Sequence, residues 1–266
     1  ATVDFVPGAA ASVSIATIAS PQTAGQAFGV DLTVEDANGN TVTGYSGTLD
    51  LILAEGSSIS PSSVSFSGSD DGTKTVSVTL SDAATDEQIT ATDDTDGSVS
   101  GTSNTFDVNA GAISASQSTV TATSPHTADG TDASTITIEL RDAQDNPVGN
   151  VGSFDVGLTG DATATGSVTE TSTSGTYEVG VTNTTAEQVT VSVTASGTSL
   201  NQTPTVTFQS GAISASNSTV TASPSTVAAN GTDASTLTIE LRDGIGNAIG
   251  GLADGDFTLS GQGSAS

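Results

Sequence analysis

The chain has 266 residues, of which 30 are acidic against three basic (Lys74, Arg141 and Arg242), giving a formal net charge of −27. That balance excludes direct binding to nucleic acid phosphates and disfavours unaided binding to an anionic membrane. There is no Cys, hence no disulfide, thiolate nucleophile or cysteine zinc site, and no run of about 20 apolar residues that could span a bilayer as a helix.

In chain order, residues 1–7 read as the closing strand of an upstream repeat. The same apolar pattern precedes a glycine at Gly8, Gly111 and Gly211. Residues 8–110 are expected to form a first domain, in which Phe28, Val30, Leu32 and Val34 alternate with polar residues. So do Leu49, Leu51 and Leu53, then Val76, Val78 and Leu80, then Ile89 and Ala91, and finally Phe106 and Val108. Residues 111–210 form a second domain, with Ile113 and Val120 in its opening segment. Ile136, Ile138 and Leu140 follow, then Phe154, Val156 and Leu158, then Tyr177, Val179 and Val181, then Val189 to Ala195, and Val206 with Phe208. Alternation of period two, with Thr and Ser on the other face, predicts an all-β chain of two-sheet sandwiches, because each strand gives alternate residues to a shared core. No segment supports a helix of useful length.

The words of the second domain then return. Gly111-Ala-Ile-Ser-Ala-Ser reappears at Gly211, 100 residues on, and the segment from Gly130 to Asp142 reappears from Gly231 to Asp243, 101 residues on. A period of this size marks tandem folded beads, since solenoid coils repeat every 20 to 50 residues or so. Residues 211–266 therefore read as the first half of a further domain, in a window cut from a longer array. The alternative is a whole subunit whose N-terminal strand completes a neighbour's unfinished domain by strand addition.

Three motifs recur in order: Ser118 to Pro125, Ala128 to Ser134 and Leu140 to Val148, matched by Ser218 to Pro224, Ala229 to Ser235 and Leu241 to Ile249. They resemble the bacterial immunoglobulin-like repeats of group 1, of the invasin and intimin type, over about residues 111 to 266. Residues 8–110 resemble more loosely the immunoglobulin-like repeats of large prokaryotic surface proteins, through Gln22 to Phe28 and Glu35 to Asn40. The resemblance implies tandem immunoglobulin-like sandwiches in an extracellular stalk that carries a binding tip away from the cell surface. The Cys-containing lectin-like tip of that family has no counterpart in these residues, so receptor binding is not implied.

Asp36 to Asn40, Asp142 to Asn146 and Asp243 to Asn247 occupy matching places after the strand that opens each core. Such loops read first as turns, with Asp and Asn bonding their own backbone and Gly or Asp accepting positive φ. Calcium is the candidate ion for the clustered oxygens, at Asp142 and Asp145 and at the denser run of Asp93, Asp94 and Asp96. The bidentate Glu that completes a calcium loop is missing there, which favours solvated hairpin tips. Asn183, Asn201, Asn217 and Asn230 each open an Asn-x-Ser/Thr sequon and are the glycosylation candidates. Catalysis has little to stand on: His126 is the single histidine, in a Ser-Pro-His-Thr loop that reads as surface, and Gly244-Ile-Gly246 lacks a following helix. Arg141 and Arg242 are expected to pair with neighbouring acids.

The expectation is thus a structural, non-enzymatic protein without cofactor, at the cell surface, whose partners are adjacent repeats or neighbouring subunits. A self-assembling filament or surface-layer subunit is the alternative, and a carbohydrate-binding spacer ranks last, for want of Trp and with only two Tyr. The strong acidity is consistent with a high-salt habitat, where self-repulsion is screened.

Overall fold

The computed structural model describes residues 4, 6–54, 58–258 and 260. Among these the regular structure is strand, apart from two short 3-10 turns at Gly68–Asp70 and Asp254–Asp256. The chain divides into two compact units: Ala1–Gln117 with Leu140–Val148, and Ser118–Glu139 with Gly149–Ser266.

The first unit holds a sandwich of eleven short strands: β1 (Ala10–Ile15), β2 (Gln22–Thr23), β3 (Ala27–Asp36), β4 (Gly47–Leu53), β5 (Ile59–Ser60), β6 (Ser63–Phe66), β7 (Thr73–Leu80), β8 (Ala84–Glu87), β9 (Ile89–Asp93), β10 (Ser100–Thr102) and β11 (Phe106–Asn109). One sheet has the order β1-β3-β7-β5, a second β10-β9-β4-β6, and a third β2-β11-β8. All neighbours are antiparallel except β11 and β2, which run parallel. The alternating residues of β3, β4, β7, β9 and β11 meet in one core that includes Leu32, Leu49, Leu51, Val78, Ile89 and Phe106. Val64 and Phe66 of β6 join it, with Phe66 edge-on to Tyr45 at 5.5 Å and Phe28 edge-on to Phe106 at 6.0 Å. Lys74 lies 5.7 Å above the Phe66 ring and 3.2 Å from Asp70, covering the core margin with its stem.

The second unit repeats the plan with β12 (Thr119–Ala122), β13 (His126–Thr127), β14 (Ser134–Glu139), β15 (Phe154–Leu158), β16 (Thr163–Ala164), β17 (Thr169–Glu170), β18 (Thr176–Thr182), β19 (Gln188–Ala195), β20 (Thr198–Ser199) and β21 (Thr205–Gln209). One sheet runs β12-β14-β18-β16 with β17 also on β18; the other runs β13-β21-β19-β15 with β20 also on β19. Here again one pair, β13 with β21, is parallel. Val189, Val191, Val193 and Ala195 of β19 are buried while Thr190 and Thr194 are half-buried and Ser192 is exposed. Each such valine contributes roughly 1.5–3 kcal/mol by leaving water. Beyond this sandwich β22 (Thr219–Ser223) and β23 (Thr236–Glu240) form a two-stranded hairpin. Every residue of that hairpin is exposed, whereas Val120, Ile136 and Ile138, the counterparts of Val220, Leu237 and Ile239, are buried.

Some local expectations shift. The closing strand expected over residues 1–7 falls mostly outside the described residues, and Asp4, Val6 and Pro7 belong to no strand. Ile113 lies outside the strands, in the half-buried stretch ahead of β12. His126 is not a plain surface residue, because the parallel pairing of β13 with β21 lays its half-buried ring 6.4 Å from that of Phe208.

Candidate functional site

The three Asp-x-x-x-Asn loops share one construction. In each, the first Asp donates its N–H to the carbonyl of the Asn four residues on, at 2.9 Å for Asp36, 2.9 Å for Asp142 and 3.0 Å for Asp243. One carboxylate oxygen accepts the N–H groups of the second and fourth residues after it: Asn38 and Asn40, Gln144 and Asn146, Ile245 and Asn247. The other oxygen accepts a glycine N–H from the start of the same repeat, Gly8, Gly111 or Gly211, at 2.8, 2.7 and 2.9 Å. The fourth position of the loop turns through positive φ, at Gly39 (79°), Asp145 (72°) and Gly246 (101°). Gly accepts that conformation freely and Asp at modest cost, which is why those residue types stand there. The carboxylate is thus an internal acceptor that folds the loop and anchors the entering chain.

Electrostatics follow from these bonds. Donation by Gly8, then by Asn40 and Asn38, holds the Asp36 carboxyl well below the usual carboxylate range. Burial pushes Asp142 and Asp243 upward, but the N–H donors of Gly111 and Asn146, or of Gly211 and Asn247, outweigh it. Both carboxyls end lower, Asp243 at about 2. Arg141 donates to the carbonyl of Asp145 at 2.8 Å and Arg242 to that of Gly246 at 2.8 Å. Arg141 also lies 3.5 Å from the Asp145 carboxylate. The expected acid pairing holds at Arg141, whose carboxylate partner is Asp145, and each guanidinium in addition braces the carbonyl of the positive-φ residue of its own loop.

In each unit one closing Asn, Asn146 in the first and Asn247 in the second, also reaches out of its loop to a seat. In the first unit Asn146 donates to the carbonyl of Ser81 at 2.8 Å and accepts the N–H of Ala83 at 2.9 Å, both in the connection between β7 and β8. In the second unit Asn247 donates to the carbonyl of Thr184 at 3.1 Å and accepts the N–H of Ala186 at 3.0 Å, in the connection between β18 and β19. It also donates to the carbonyl of Ala128 at 3.2 Å. A side-chain amide has one donor edge and one acceptor edge, so a C=O and an N–H two residues apart match it as a neighbouring strand would.

The other candidates are placed as follows. Asp93 is buried at the end of β9; one oxygen accepts the N–H and O–H of Thr95 and the N–H of Asp96, and the other accepts the Tyr45 hydroxyl. Burial raises its carboxyl, but these donors prevail and bring it to about 2, while burial and the adjacent carboxylate push the Tyr45 hydroxyl up. Asp94 and Asp96 are exposed at the same tip, where Asp96 accepts from the N–H and hydroxyl of Ser98. Among the described residues no group of three or more His, Cys, Asp or Glu side chains is arranged to hold a metal ion. Asn183 is buried and donates to Glu187, Asn217 is half-buried and donates to the carbonyls of Asp243 and Gly244, and Asn201 and Asn230 are exposed. His126 places its two ring nitrogens 2.8 Å from Asp132 and 2.9 Å from Thr123, a structural bracket that the sequence reading missed. Asp132 also accepts the Thr127 N–H, so the trio ties β13 to the segments on either side of it.

Residues 114–211 match the family described as invasin, domain 3. The crystal structure of invasin, a bacterial integrin-binding protein, is similar to this chain with a TM-score of 0.56 at 26% identity, over 91% of this chain and 48% of that one. This chain therefore spans about half the length of that structure. FdeC, an adhesin of Escherichia coli, is similar with a TM-score of 0.57 at 25% identity, over 91% of this chain and 77% of that one. No curated protein sequence matches the chain. The segment 114–211 is thus similar to domain 3 of invasin, and the chain's sandwiches are immunoglobulin-like.

Proposed function

We propose that this chain, built from immunoglobulin-like sandwiches of the invasin and intimin type, is a noncatalytic stalk or spacer segment of an adhesin-like protein on a prokaryotic cell surface. What carries the reading is the family match joined to the recurrence of one loop and one seat at intervals of about 100 residues, as tandem presentation of a distant tip requires. The integrin binding named for invasin stays with invasin, since the likeness reaches only 48% of that structure. No residue here is assigned to catalysis, and the reading places the chain outside the cell.

A second reading is a self-assembling filament or surface-layer subunit, in which the same sandwiches bind one another. Sedimentation velocity at low and high salt, with and without calcium, separates the two. A stalk segment stays monomeric across protein concentration, whereas reversible polymers would replace the stalk reading with the filament one.

A further inference from the structure

Two of the three loops are seated and one is not. Asn146 and Asn247 each use the outer edge of the amide on a C=O and N–H pair, and Asn146 is only 7% exposed. Asn40 has the same loop around it and the same inward bonds, donating to both oxygens of Asp36 at 3.2 and 3.1 Å. Its side chain is exposed, and its Oδ1 accepts no hydrogen bond among the described residues.

We infer that the Asp36–Asn40 loop is a docking surface for a further immunoglobulin-like sandwich, and that Asn40 takes the C=O and N–H two residues apart in that sandwich's counterpart of the Ser81–Ala83 or Thr184–Ala186 connection. The occupant is not a second copy of this chain. Both seats on this chain are already filled, Ser81 with Ala83 by Asn146 and Thr184 with Ala186 by Asn247, so a second copy offers no free one. The loop is pre-formed, because Asp36 fixes it through Gly8, Asn38 and Asn40 without any partner, and docking therefore orders little new backbone. The acceptance rule is geometric, because the bonds go to backbone atoms; the two seats, Ser-Asp-Ala and Thr-Thr-Ala, differ at the middle residue and share the Ala whose N–H is taken. It stands whatever the assembled array binds at its far end.

The test is a fusion that places a second copy of residues 111–210 directly ahead of Gly8 in the full chain, segmentally labelled for amide hydrogen exchange by NMR. With Asn40 present, the Ala186 amide of the added copy should exchange about tenfold more slowly than in the Asn40→Ala fusion, while the amides of Val179 and Val191 in that copy stay equally protected. Equal exchange at that amide in the two fusions overturns the inference. Should the added copy leave Val191 unprotected, a copy of residues 8–110 in its place supplies the Ser81–Ala83 seat, read at the Ala83 amide. In the unmodified chain, Asn146→Ala should speed exchange at Ala83 about tenfold and leave Ile89 unchanged. No change there would remove the seated twin on which the inference rests, and would overturn it too.

Discussion

Replacing Val191 by Asp tests the register of the second sandwich at its centre. Val191 is fully buried on β19, opposite Leu158 of β15, with Val189 and Val193 beside it on the same face. The substitution forfeits roughly 1.5–3 kcal/mol of valine burial. It also forces a carboxyl among aliphatic side chains, which costs roughly 1–3 kcal/mol more even when the group takes a proton to stay neutral. The sum, about 2.5–6 kcal/mol, is a large share of the roughly 5–15 kcal/mol that holds a domain folded. Thr190→Asp, one residue earlier and on the half-buried outer face, should cost about 1 kcal/mol or less. The assay is urea unfolding followed at the amides of β18 and β21, with the shift in midpoint at constant slope as the readout. Because the buried carboxyl is held protonated in the native state, the Val191→Asp penalty should deepen as pH rises through about 4, the unfolded carboxyl value, whereas Val191→Asn should show no such trend. Equal losses at the two positions would mean that β19 is misregistered by one residue, which would turn every side chain of the strand to the other sheet face.

The folded carboxyls of Asp36, Asp93, Asp142 and Asp243 all lie below their unfolded values. Their stabilisation is therefore fully present above about pH 4 and is lost as pH falls toward about 2, the value for Asp93 and Asp243. An acid titration by circular dichroism should show unfolding in that window, and a signal unchanged down to pH 2 would contradict the bonding described. Thirty acidic groups against three basic ones should make the melting temperature climb between roughly 0.01 and 1 M monovalent salt, as the Debye length shrinks from about 30 to about 3 Å. Millimolar calcium added at high salt should give no further rise, because the oxygens of Asp93 and Asp142 already accept N–H and O–H groups; an extra shift abolished by Asp94→Asn or Asp142→Asn would establish a metal site. A fragment of residues 211–266 should melt without cooperativity, since an isolated hairpin that buries none of Val220, Leu237 and Ile239 has no core; a sharp transition would refute this.

The long alternating strands were legible. Val30 to Val34 on β3, Tyr177 to Val181 on β18 and Val189 to Ala195 on β19 each show period two, and each is buried on the side so marked. The two-residue strands were not, because β2 and β13 have no pattern of their own and exist through parallel pairing with β11 and β21 far along the chain. Val64 and Phe66 of β6 carried the right alternation over too few residues to separate from the surrounding serines. At the candidate site, the repetition of Asp and Asn was visible and the turn could be read from it. The outward role of Asn146 was not, since its partners lie 63 and 65 residues away and belong to backbone, which leaves no trace in residue type. The bracket of His126, Asp132 and Thr123 was hidden for another reason: its side chains lie only three and six residues apart, but their proximity follows from the fold of a short loop.

The contrast between Asn247 and the hairpin beside it bears on how such an array is built. The Asp243–Asn247 loop takes its bonds from its own Asp243 carboxylate and from the backbone of Thr184 and Ala186, while every residue of β22 and β23 is exposed among the described residues. Because those bonds go to backbone, the side chains of the hairpin can change without touching the hold of the loop on Thr184 and Ala186, so joint and bead are free to vary independently.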